Sequence, residues 1–234
     1  MKNLVFQVNI KDKNTHEGEG YIKRKRGFPY SYELFKYSNL KAKEYADRVG
    51  ADYFCLQDYW PILSDKFAAT YHKLYIYELF KKYDKIFYID SDAIVTKICP
   101  DIFINNNFSS VRDFPDTING NKMMEKVKKK SHITNEHISF CAGVILYNKD
   151  FYYKTKDKWK ETLEYWKDKT THSDQIIWNI LVSKYYGSYN ILDPNWGAWY
   201  RKGKYITHYT VTKRKKIDVI EEFERFENRL LGVQ

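Results

Sequence analysis

The sequence has few cysteines: Cys55, Cys99 and Cys141 are all it holds. Their number is odd, they lie far apart, and no two have C-x-x-C spacing. That argues against a disulfide framework and a cysteine-built zinc site, and it suits a reducing compartment. No apolar run approaches the ~18 residues that a membrane-spanning helix needs. The opening MKNLVFQVNIKDKN is apolar for too short a stretch to be a signal peptide. The expected location is therefore the cytoplasm. No internal repeat and no low-complexity linker interrupts the chain. A Gly-rich phosphate loop after the first strand is also missing, which argues against a nucleotidyltransferase that makes sugar nucleotides. No helix-turn-helix, zinc knuckle or RNA-binding aromatic pattern supports a nucleic-acid-binding module.

What is present fits one sizeable α/β domain. The 234 residues are 43% hydrophobic, enough for a packed core and against general disorder. Tyr and Phe number 22 and 14, and such rings line cores and flat sugar or base surfaces alike. The formal net charge of +10 suits an anionic partner: a nucleic acid, a phosphorylated small molecule or an acidic membrane. Much of it lies in KRKR at 23–26, KKK at 128–130 and KRKK at 213–216. The plainer reading of each cluster is a solvated face. The richness in Lys, Tyr and Asn points to an AT-rich genome, bacterial or of a large DNA virus. A virus-encoded chain would act in the host cytoplasm.

Hydrophobic periodicity predicts strands at 3–10, 52–58 and 85–90. Helices at 39–50, stopped by Gly50, and at 64–83, capped by Ser64, separate them. Helical crossovers imply a parallel, doubly covered sheet. Residues 11–29 read as a loop, 109–114 as a short strand and 115–135 as a polar, Lys-rich exposed segment. ISFCAGVILYN at 138–148 reads as a buried strand, with helices at 156–169 and 173–186 after it. NILDPNWGAWY at 190–200 reads as a turn-rich aromatic loop, and 204–216 as a strand ending in a basic tail.

The third strand, KIFYID, ends on two acids one residue apart, Asp90 and Asp92. Ligands of such sheets bind beyond the carboxyl ends of the strands. If the chain bends there, both carboxylates can reach one divalent ion. Hard cations such as Mn²⁺ and Mg²⁺ take oxygen ligands and share them with phosphates. The plainer reading is that Asp92 caps a turn and Asp90 is a lone surface acid.

The block YHKLYIYELFKKYDKIFYIDSDAIVTKICPDIF resembles the centre of GT-A-fold glycosyltransferases. It is most similar to glycosyltransferase family 8, the glycogenin and lipooligosaccharide galactosyltransferase family. NLKAKEYADRVGADYF is also similar to the opening of family 34. FCAGVILYNKD at 140–150, SDQIIWN at 173–179 and ITHYTVTKRKK at 206–216 resemble three further family 8 motifs, in the family's order. The resemblance implies a GT-A fold over 1–234: a Rossmann-like, mostly parallel central sheet flanked by helices. Residues 1–100 would form a nucleotide-binding half ending in the two acids. Residues 101–234 would form an acceptor-side half with a C-terminal basic tail.

The resemblance also implies roles. Asp90, Asp92 and His208 would bind Mn²⁺ or Mg²⁺. Asn9, Lys73, Ser91, Asp92, Lys213 and Arg214 would bind the donor, a nucleotide-sugar with UDP as the expected carrier. Asp174 would hold sugar hydroxyls and Gln175 would support the anomeric carbon, with retention of configuration. The acceptor would be a glycan or glycoprotein, touched by Asp113, Trp196 and Trp199. No nucleic-acid partner is expected. Read without the family, Asp174 is an acid in a helix's first turn, which the helix dipole favours. Without it, too, Trp196 and Trp199 are rings packed on the sheet, Lys73 is a solvated helix lysine, and His208 is a strand-end histidine. Three departures stand out. Cys141 replaces the usual Asn before AGV, Val211 replaces a Gly, and no Pro-Trp follows Arg214.

Overall fold

The computed structural model describes residues 1–10, 32–63, 69–112, 125, 129, 139–167, 173–187, 189–197, 203–209 and 216–233. Ser64, Asp113, Trp199, Lys213 and Arg214 lie outside the described residues, as does the stretch 11–29.

The strands are β1 (Asn3–Val8), β2 (Asp52–Leu56), β3 (Lys85–Ile89), β4 (Ala93–Val95), β5 (Ser109–Arg112), β6 (Phe140–Asn148), β7 (Asn190–Leu192) and β8 (Ile206–His208). Six of them form one sheet in the order β2-β1-β3-β6-β5-β7. Only β6 runs against its neighbours, so the sheet is mixed and mostly parallel. The three N-terminal strands pair in parallel, as their helical crossovers require. All nine residues of β6 are buried, which is why it reads as a continuous apolar run.

The helices are α1 (Tyr32–Arg48), α2 (Ile76–Leu79), α3 (Lys149–Thr155), α4 (Trp159–Trp166), α5 (Ser173–Ile180) and α6 (Lys216–Leu231). Gly50, at φ 68°, supplies the left-handed residue that stops α1. Side chains of β3 alternate between the two faces, as the two-residue period demands. Ile86 and Tyr88 pack with Leu4, Phe6, Ile145 and Tyr147 and the rings of α3, α4 and α5. Phe87 and Ile89 pack with Val5, Val144 and Leu146 against Ala42, Tyr45 and Ala46 of α1.

Four elements differ from the expected pattern. The helix expected over 64–83 is, among the described residues, a 3-10 segment Ala69–Tyr75 followed by the short α2. Aromatic and β-branched residues crowd this stretch and favour a helix weakly. Its polar members are drawn inward instead: the His72 Nδ1 accepts from the Trp60 N–H at 3.0 Å, and Lys73 is buried. The helix expected over 156–169 is preceded by α3, whose N-cap Asn148 accepts from the Phe151 N–H. The aromatic loop begins as β7, which pairs in parallel with β5. Finally β4 and β8 form a separate antiparallel ribbon, and α6 covers it: Val219 and Phe223 pack on Ile94 and Tyr209.

Candidate active site

The site starts from a turn. β3 ends at Ile89, and the Ala93 N–H donates back to the Asp90 carbonyl at 3.0 Å. This closes a four-residue turn that swings Asp92 toward Asp90's side of the chain. The Ser91 hydroxyl donates to the Val8 carbonyl at 2.7 Å and ties the turn to the end of β1. The Asp90 N–H donates to the Gly143 carbonyl at 2.8 Å, extending the β3–β6 ladder by one residue. The chain then runs on as β4. Pairing of β4 with β8 sets His208 opposite Ala93, and the Tyr209 N–H donates to the Asp92 carbonyl at 2.9 Å. A residue 116 positions away thus lands beside the turn.

His208 Nε2 lies 3.0 Å from Asp92 Oδ1 and 3.6 Å from Asp90 Oδ2. One ligand atom from each of the three residues lies within 4.8 Å of the others. Burial works against charge on His208, yet the Asp92 carboxylate and its hydrogen bond lift the imidazole pKa well above its ordinary value. Burial would likewise raise the Asp92 carboxyl, but His208 holds it below the usual range. Two carboxylates and an imidazole are a donor set that a divalent ion of the Mn²⁺ type accepts. Gly143 makes room for it. A Cβ there would stand 2.5 Å from both Asp90 Oδ2 and His208 Cε1, so only glycine allows the three groups to converge.

Beside this trio lies a second charged group. Lys73 Nζ is 2.9 Å from Asp90 Oδ1, 3.0 Å from Asp174 Oδ2 and 3.3 Å from the Ala142 carbonyl. Lys73 is only 4% exposed, which overturns its reading as a solvated lysine. Asp174 comes from the first turn of α5. Asn179, one turn further on, holds that helix to β6. Its Oδ1 accepts from the Phe140 N–H at 3.1 Å, and its Nδ2 donates to the Phe140 carbonyl at 3.0 Å and the Gln175 carbonyl at 2.9 Å.

Residues 37–222 match glycosyl transferase family 8. The chain belongs to that family. It is a glycosyltransferase with a GT-A fold. The galactosyltransferase LgtC, solved with donor and acceptor sugar analogs, is 16% identical; the alignment covers 99% of this chain and 96% of that one at a TM-score of 0.59. A glycosyltransferase involved in the glycosylation of the major capsid of PBCV-1 is 13% identical, with 96% and 100% covered and a TM-score of 0.56. WbbM, described as a bifunctional glycosyltransferase, is 16% identical; 91% of this chain and 46% of that one align at a TM-score of 0.56. No curated protein sequence matches the chain.

The structure brings together Asp90, Asp92, His208, Lys73 and Asp174 among the residues the family motifs single out. Ser91 adjoins them, with its hydroxyl hydrogen engaged by Val8. Asn9 follows β1 and its N–H donates to the Leu56 carbonyl at 2.8 Å, so it stands at the same end of the sheet. Gln175 sits on α5, 8% exposed. Trp196 is a correction. Its ring is 7% exposed and meets Phe87 and Tyr205 edge-on, so it is core and offers no open face to a sugar. Tyr88, Gly143 and Asn179 are site-building residues that lie inside the quoted motifs but are given no role by them. The signal for Gly143 was its place inside an otherwise bulky buried strand. Among the described residues, no helix is long and apolar enough to cross a membrane.

Proposed function

We propose that this family 8 enzyme moves a sugar from a nucleotide-sugar, with UDP as the carrier, to a hydroxyl of a glycan or glycoprotein, and that it retains the anomeric configuration. The observation that carries this reading is the convergence of Asp90, Asp92 and His208 at the carboxyl end of β3. Mn²⁺ or Mg²⁺ held by these three would supply a Lewis acid that neutralises charge on a diphosphate. Residues 1–100 would hold the nucleotide and residues 101–234 would face the acceptor. Asn9 and Ser91 would border the nucleotide, and Lys213 and Arg214 would add positive charge against the diphosphate. Asp113 and Trp199 remain the acceptor contacts.

In the transfer, the bond from the anomeric carbon to the diphosphate oxygen breaks. A bond from the acceptor oxygen to that carbon forms on the same face. The acceptor's proton passes to the departing diphosphate. Asp174, oriented by Lys73, would bind sugar hydroxyls, and the neutral amide oxygen of Gln175 would support positive charge building on the anomeric carbon. An amide in that place suits retention, because an inverting enzyme needs a carboxylate or other base to take the acceptor's proton. The unpaired cysteines Cys55, Cys99 and Cys141 support action in a reducing compartment such as the cytoplasm, and the Lys, Tyr and Asn bias supports a viral or bacterial gene.

A panel of nucleotide-sugars incubated with Mn²⁺, scored for nucleotide release, tests donor and metal together. Release from one UDP-sugar is the expected result, and with a hydroxyl acceptor added, an α-linked product by the anomeric proton signal. A β-linked product from an α-linked donor would contradict retention and the role given to Gln175.

A further inference from the structure

Asp90 does not present its two oxygens equally. Oδ1 accepts from the Tyr88 hydroxyl at 2.6 Å and faces Lys73 Nζ at 2.9 Å. Oδ2 points the other way, toward His208 Nε2 at 3.6 Å and over the Gly143 Cα, where a Cβ would stand 2.5 Å from it. Both donors to Oδ1 are held firmly. The Tyr88 ring is buried in the core and sits edge-on to Phe6 at 5.6 Å. Lys73 Nζ lies 5.2 Å from the centre of that ring, so the tyrosine supports the lysine as well as the aspartate. Hydrogen bonds to an ionised carboxylate are about twice as strong as neutral ones, and the 2.6 Å contact is at their short end.

We propose that Tyr88, acting with Lys73, is a positioning residue that pins Asp90 Oδ1 and leaves Asp90 to meet a divalent ion through Oδ2 alone. This rests on the ion-binding reading above. The local sequence explains how the pin arises. Tyr88 lies on β3 and Asp90 on the one-residue extension of its ladder, so their side chains leave the same face. A carboxylate on a short side chain has two rotational choices that place either or both oxygens at an ion. Engaging one oxygen with a phenol and an ammonium removes that freedom before the ion arrives. Partners of ligand atoms generally matter to metal affinity at the level of ~10–100-fold. Lys73 extends the same pin to Asp174, so the ion-binding acid and the acid at the head of α5 share one cation. The orientation of Asp174 is thereby tied to that of Asp90.

The test is Mn²⁺ binding to the Tyr88→Phe variant, read from the electron paramagnetic resonance signal of free Mn²⁺. The titration is run on folded protein, well below the variant's own melting temperature, so loss of stability does not enter. The account expects Mn²⁺ affinity to fall about 10-fold. It also expects nucleotide-sugar turnover to recover toward the wild-type rate as Mn²⁺ is raised, which a merely structural defect would not do. Tyr88→Phe with wild-type Mn²⁺ affinity overturns the inference and leaves the ion site standing. Lost turnover that added Mn²⁺ fails to restore, with affinity unchanged, overturns it too. A wild-type protein that binds no Mn²⁺, alone or with UDP, overturns both this inference and the metal-dependent function.

Discussion

At the scale of single residues, the site depends on one position that carries no side chain. Gly143 is surrounded by Asp90 and His208 so closely that even a methyl group collides with both. Backbone there is fixed within β6, so neither ligand can retreat without leaving the other. Gly143→Ala is expected to fold but to lose Mn²⁺ binding at least 10-fold, by the scale of disturbed ligand surroundings. Calorimetric titration with Mn²⁺ checks it, and unchanged affinity would show that the trio tolerates being spread. The two acids were legible in the sequence, because a buried strand ending on charge is a local pattern. His208 was not legible from spacing. It is 116 residues from Asp92, and only likeness to a family motif pointed to it. Lys73 looked like a surface lysine by its neighbours. Its partners, Asp90 and Asp174, are tertiary and leave no local trace. Trp196 read as a sugar platform because tryptophan beside glycine suits both a loop and a core, and the core won.

At the scale of elements, α5 matters because it carries Asp174 and Gln175, and Asn179 bonds it to β6. Asn179 bonds both the N–H and the carbonyl of Phe140, the first residue of β6. Asn179→Ala leaves both buried groups without that partner, at about 1–3 kcal/mol each. A loss of about 2–4 kcal/mol in urea denaturation is expected, with turnover reduced because α5 shifts against the site. A loss under ~1 kcal/mol would mean that water or another group takes over. Long buried strands were legible here, β6 most clearly. The three-residue strands β4 and β7 were not, since they are too short to show a period and exist through pairing with distant partners, whereas β8 lies inside the strand expected from residue 204. The stretch 64–83 misled for a different reason. Its apolar spacing is helical, but Lys73 and His72 take buried partners that a regular helix face would not place.

At the scale of the whole molecule, α6 closes the structure behind the site. Glu227 is buried, and its Oε1 accepts from the Lys97 N–H at 2.7 Å, just beyond β4. Its Oε2 lies 3.6 Å from Lys41 Nζ of α1 and 3.9 Å from Lys97 Nζ. One carboxylate therefore ties α6, α1 and the ribbon that bears Asp92 and His208. The elements expected from the sequence end at the basic run 213–216, with no helix beyond it, although Val219, Phe223 and Glu227 recur every four residues. Breaking a buried ion pair from one side typically costs ~3–5 kcal/mol. Glu227→Ala is expected to destabilise by less than that, because Lys41 keeps Glu44 at 3.3 Å while the Lys97 N–H loses its acceptor. Glu227→Gln should lose less, as it keeps an acceptor for the Lys97 N–H. Equal losses for the two would indicate that the backbone hydrogen bond contributes nothing.

The most direct measurement of the central claim is turnover of the nucleotide-sugar by wild type and Asp92→Ala, each with and without Mn²⁺, alongside their melting curves. The turn that carries Asp92 is closed by backbone hydrogen bonds that do not use its carboxylate, so the turn can form without that group. The account predicts that Asp92→Ala melts cooperatively but shows neither Mn²⁺-stimulated nucleotide release nor a rise in melting temperature with Mn²⁺ plus UDP. Wild-type turnover by Asp92→Ala, with the same stabilisation by Mn²⁺ plus UDP, would contradict it.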